Sequence, residues 1–153
     1  MEICKDAPSE KEVIERLYSL FLGKGYPLEA LHKEVRIAFS LADLSFEIFL
    51  PLVVKKEKPL LITYYEPSLR GLSCAERPLI SIARLFFDPP PYFAILTNLQ
   101  NYINIEVPSQ KITKGGKEII PTFEVFNNYT PTTAKPFKRD LEEKILALYL
   151  SGG

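Results

Sequence analysis

The residues of this chain that carry chemistry are few, and most of them are cationic or phenolic. Arg70, Arg77 and Arg84 cluster about one segment, and guanidinium groups held together in this way can contact phosphate oxygens. The structural use of the same arginines, capping carbonyls or pairing with Glu76 and Asp88, is the favoured reading. Tyr64, Tyr65 and Tyr92 could stack on bases, yet tyrosines at such spacing more often fill a half-buried strand face. His32 is the single histidine and has no serine or cysteine motif beside it, so it reads as a surface residue near a helix end. Cys74 falls in a loop just ahead of a helix, where a helix N-terminus can activate a thiol; the simpler reading is a small, partly buried side chain. Gly115-Gly116 reads as a hairpin tip, because no helix opening with Gly-Lys-Ser/Thr follows to make a phosphate loop.

Composition narrows the possibilities. A length of 153 residues suits one domain that buries its own core. Lys plus Arg equals Asp plus Glu at 19 each, which removes the net positive field of a strong nonspecific nucleic-acid binder. Any DNA contact must come from a local patch. Cys4 and Cys74 lack a CxxC partner and read as reduced thiols. No signal peptide and no apolar run of about 18 residues is seen, so the expected location is the cytoplasm, with no membrane contact.

These residues are positioned by elements that the pattern of the chain predicts. Ser9-Glu10-Lys11-Glu12 is a capping box that starts a helix with an apolar stripe through Val13, Ile14, Leu17, Leu20 and Phe21. Gly23 and Gly25 end it, and Pro27 opens a short second helix through His32. From Glu34 the period changes to two, giving strands at Glu34 to Leu41, Phe46 to Val54 and Leu60 to Tyr65. A helix from about Arg77 or Pro78 to Phe87 stops at Asp88 and the prolines after it. Strands at Tyr92 to Thr97 and Tyr102 to Val107 follow, then a polar stretch, and a final helix whose stripe is Leu141, Ile145, Leu148 and Tyr149. The β-α-β step makes the LLIT and FAILT strands parallel. The expected class is α+β, a mixed sheet flanked by helices in the order α-β-β-β-α-β-β-α. Residues 1–126 form the domain, 127–136 a linker, and 137–153 a helix packed on the same domain.

That order is the arrangement of the PD-(D/E)XK, or restriction-endonuclease-like, fold. The segments GKGYP (Gly23–Pro27), PLVV (Pro51–Val54), KPLLITYYEPSL (Lys58–Leu69), ERPLISIARLF (Glu76–Phe86), YFAILTN (Tyr92–Asn98) and GKEIIPT (Gly116–Thr122) resemble small proteins related to the N-terminal domain of the type I restriction enzyme R subunit. The resemblance implies a site in which an aspartate on the second strand and a glutamate on the third hold Mg²⁺ while a lysine two residues on activates water. Carried onto this sequence, those positions are Pro51, Thr63 and Tyr65. Proline has no ligand atom, a neutral hydroxyl is a poor one, and a phenol stays protonated near neutral pH.

Displaced acids are the alternative. Glu15 on the first helix, Glu47 on the second strand and Glu66 after Tyr65 are the candidates. Glu47 lies four residues, about 13 Å, from Pro51, and alternation turns Glu66 to the opposite face from Tyr65. The expectation is therefore a catalytically degenerate nuclease fold without a cofactor, binding DNA through Arg70, Arg77 and Arg84, or binding another protein. An active Mg²⁺-dependent endonuclease using the displaced acids and a homodimeric scaffold are the two rivals.

Overall fold

The computed structural model describes residues 7–67 and 71–152. The capping box forms as expected: Glu12 N–H donates to the Ser9 hydroxyl and Ser9 N–H to the Glu12 carboxylate. It opens α1, Glu10–Gly23, which buries Val13, Leu17 and Phe21. A Ser9→Ala variant should lose about 1 kcal/mol of stability, read as a lower urea midpoint at unchanged slope. After Gly25, whose φ of 89° needs glycine, the expected second helix shrinks to a single turn at Leu28–Ala30. His32 consequently lies exposed in a strand, not at a helix end.

A six-stranded sheet follows, in the order β1 to β6. Its strands are β1 (Leu31–Leu41), β2 (Leu44–Lys56), β3 (Lys58–Tyr65), β4 (Phe93–Thr97), β5 (Tyr102–Glu106) and β6 (Lys111–Gly115). All neighbours are antiparallel except β3 and β4. Those two are joined through α2, Glu76–Phe86, the parallel pairing that the β-α-β step demands. The chain is thus α+β, a mixed sheet flanked by helices, with β6 added to the expected order. Gly115-Gly116 closes β6 and is no hairpin tip, for the β5–β6 turn runs through Val107–Gln110. Crowding favours glycine there: a Cβ on Gly115 would lie 2.7 Å from the Ile119 side chain, and one on Gly116 would have to push aside the flexible Glu118 carboxylate, 2.7 Å away.

The sheet buries both faces. On one, α1 together with Phe126 and Tyr129 covers Leu52, Val54, Leu61, Phe93 and Ile95. On the other, α2 covers Val53, Ile62, Ala94, Leu96 and Ile103, and α4 (Arg139–Leu150) packs against α2. Sandwiched in this way, α2 is buried nearly all round, from Pro78 to Leu85. The last helix is rotated from its expected setting. Leu141 and Leu148 are exposed at 51% and 63%, whereas Glu142, Leu146, Ala147 and Tyr149 are buried. A hydrophobic stripe alone misplaces it because a carboxylate takes one of the inward positions.

The polar stretch before α4 is anchored. It contains a short helix, α3 (Val125–Asn128), and Phe123, Phe126 and Tyr129 pack on the α1-side core against Tyr26, Tyr92 and Phe93. The Tyr129 hydroxyl donates to the Glu106 carboxylate. With Ser109 and Tyr129 both hydrogen-bonded to it, Glu106 is held below the ordinary carboxylate range.

Candidate functional site

Three positions carry the expectation of a nuclease centre, and the structure gives each a place in the packing of the sheet. Pro51 is buried within β2, across from Glu34 in β1. The β1–β2 register runs His32↔Val53 and Lys33↔Leu52, skips this pair, and resumes at Val35↔Leu50. Two local causes meet here: proline has no N–H to give, and Glu34 has a φ of 55°. Alternation slips at the same point. Leu50 joins the α2-side core and Leu52 the α1-side core, although they are two residues apart. Parity alone therefore does not carry Pro51 onto the face shared by Thr63 and Tyr65.

Thr63 is fully buried. Beyond Val53↔Ile62 the β2–β3 ladder ends, and at the next pair in register the Thr63 hydroxyl stands in for the missing rung. It accepts from Leu52 N–H at 2.9 Å and donates to Leu52 C=O at 2.7 Å. A hydroxyl has one proton to give, and here it is spent on the backbone. Tyr65, two residues on, is half-buried and packs on the α1 side. Burial pushes its phenol up, and the Arg16 charge only partly opposes this, so it stays protonated at neutral pH. Its partner on β4, Thr97, caps the following turn by accepting from Leu99 N–H and donating to Asn101 C=O. The residues at Pro51, Thr63 and Tyr65 do not fit a Mg²⁺ ion.

The displaced acids are dispersed. Glu15, exposed on α1, pairs with Lys33 at 3.0 Å. Glu47 shares Arg36 with Glu10 and Glu34, at 3.1, 2.7 and 3.1 Å. Glu66 is buried and accepts from the Tyr149 hydroxyl of α4, which puts it on the opposite side of the sheet from Tyr65, as alternation requires. Burial, with Glu66 next to it, pushes the Tyr149 phenol well above its usual range. Among the described residues no three of His, Cys, Asp and Glu are gathered to hold a metal ion.

The arginines have moved furthest from expectation. Arg70 lies outside the described residues. Arg77 and Arg84 both face Glu142 of α4 and pair with neither Glu76 nor Asp88. Arg77 clasps Glu142 with two bonds of 2.8 and 3.0 Å, and Arg84 donates to it at 2.7 Å. Ser81, between them on α2, adds a bond of 2.7 Å to Glu142 and accepts one from Arg77. Arg84 is only 7% exposed and Glu142 1%, while Arg77 keeps 38%. Burial pushes the Glu142 carboxyl up, but the bonds from Arg77, Ser81 and Arg84 outweigh it and bring it down to about 2. Glu76 takes Lys114 as its partner at 3.3 Å. The spacing of Arg77, Ser81 and Arg84, one flank of a helix, was the signal in the sequence; their acid lies some 60 residues away, at separations of 65, 61 and 58.

Other candidates fall into place more simply. Cys74 is exposed in the single turn Leu72–Ala75 ahead of α2, not partly buried as expected. Tyr64 meets the Tyr149 ring edge-on at 6.5 Å and Tyr92 leans on Tyr129 at 4.9 Å, so both serve the core. The charged surface left near Tyr65 is an open depression lined by Glu15, Arg16, Ser19, Leu20 and Lys117. No helix among the described residues is long and apolar enough to cross a membrane.

No protein-family model, curated protein or solved structure matches the chain.

Proposed function

We propose that this chain is a catalytically silent domain of the restriction-endonuclease-like class, related to the type I restriction R-subunit N-terminal domains, that works in the cytoplasm by binding. The observation that carries the reading is the Thr63 hydroxyl, which occupies the glutamate position and has its donor and an acceptor site committed to Leu52. The topology supports it as well: one helix, a three-stranded antiparallel meander, a crossover helix and a strand parallel to the third.

Nucleic acid is the partner we assign. Arg77 is clasped by Glu142 and Arg84 is buried beside it, out of reach of a phosphate backbone, so the contact falls to Arg16 and Lys117 beside Tyr65, where the charge of Arg16 also reaches Tyr102. Fluorescence anisotropy with single-stranded and duplex oligonucleotides at low salt tests this. Binding should weaken as salt rises, and Arg16→Ala/Lys117→Ala should reduce the slope of log K against log salt by about 1 to 2. Absence of binding at low salt would remove the assignment. A second reading, self-association, is favoured by the exposed Leu141 and Leu148 on α4. It requires a dimer by light scattering that Leu141→Glu/Leu148→Glu dissolves.

A further inference from the structure

The segment Thr130–Lys138 has no regular structure, yet it walls a cavity of about 260 Å³. Pro89, Pro90, Tyr92 and Val107 line it from the body of the domain, and Pro131 and Ala134 from the segment. Arg84 and Lys135 are the only ionic residues in its lining, which Pro108, Thr132 and Phe137 complete, and no acid is among them. The walls are apolar, the only ionic groups are cations, and the volume falls just under the roughly 300–1,000 Å³ typical of small-molecule sites.

Arg84 is the unusual member. It is more than nine-tenths buried, with Phe137, another lining residue, ring-on at 5.2 Å. Its Nη1 donates to Glu142, and among the described residues its remaining guanidinium nitrogens make no hydrogen bond. Glu142 is itself shared between two guanidinium groups, so one positive charge of the trio is unbalanced. A buried cation with unspent donors, bordering an apolar cavity that contains no carboxylate, is complementary to an organic anion.

We propose that this cavity binds a small aromatic carboxylate of about one ring, the ring between the prolines and Tyr92 and the carboxylate toward Arg84 and Lys135. This site stands apart from the depression at Arg16 and does not rest on the nuclease-fold reading. Calorimetric titration with benzoate tests it, with neutral benzamide as the isosteric control. Benzoate should bind saturably and benzamide roughly tenfold more weakly, the loss of a charge-assisted hydrogen bond. Lys135→Gln should weaken benzoate several-fold, and Ala134→Trp, at an exposed position on the mouth, should abolish it while circular dichroism stays unchanged. In the parent chain benzoate should also shift the methyl resonances of Val107 and Ala134, a readout that does not depend on any variant folding. No saturable binding, equal affinity for benzamide, or shifts confined to other methyls would overturn the proposal.

Discussion

Glu142→Ala should cost this protein about 3–5 kcal/mol, the penalty for removing one partner of a buried ion network. The substitution deletes the carboxylate shared by Arg77 and Arg84 and also takes the acceptor of the Ser81 hydroxyl. Arg84, at 7% exposure, is largely withdrawn from water, so its charge is left poorly compensated. The network need not add stability in total. Replacing Arg77, Arg84 and Glu142 together by leucine or methionine should recover much of the loss, because breaking a buried pair costs more than having none. Chemical denaturation of the single and triple variants checks both statements.

The same carboxylate sets an acid limit. Its folded pKa lies near 2, against an ordinary 4.5, so the unfolded chain binds the proton more readily. The stabilisation is complete above pH 4.5 and is lost as pH falls toward 2. Denaturant midpoints across that window should drop steeply for the parent chain and much less for Glu142→Gln.

Thr63→Val should be the second most damaging change, about 2–4 kcal/mol. Valine matches threonine in shape, so no cavity arises; what is lost is the hydroxyl. Leu52 N–H and C=O, both at a fully buried residue, would be left unpaired, and an unsatisfied buried polar group costs about 1–3 kcal/mol. Thr63→Ser keeps the rung and should fall within about 1.5 kcal/mol of the parent, a methyl's worth of packing. Equal loss in the valine and serine variants, measured as urea midpoints, would show that the hydroxyl bridge is not what holds β2 to β3 there.

Much of the architecture was legible because it rests on local chemistry. The capping box at Ser9, the change of period at Glu34 and the proline stop after Phe86 are each decided within a few residues, and the parallel pairing follows from the connection alone, one crossover helix between β3 and β4. What could not be read is long-range. Nothing near Arg77 or Arg84 announces Glu142, and a helix whose inward face includes a carboxylate misleads a hydrophobic stripe, which is why Leu141 and Leu148 were expected inside. The form of the irregularity at Pro51 depended on the positive φ of Glu34 opposite, which residue type does not announce. The incompatibility of Thr63 and Tyr65 with a metal was plain from residue type; that the Thr63 hydroxyl replaces a rung of the ladder depended on where the β2–β3 pairing ends.

The most direct test of catalytic silence is titration of the parent chain with Mg²⁺ and Mn²⁺, run alongside incubation with plasmid and single-stranded DNA. The account predicts no saturable heat with either ion and intact DNA. Saturable binding with cleavage that Glu66→Ala or Glu47→Ala abolishes would contradict it.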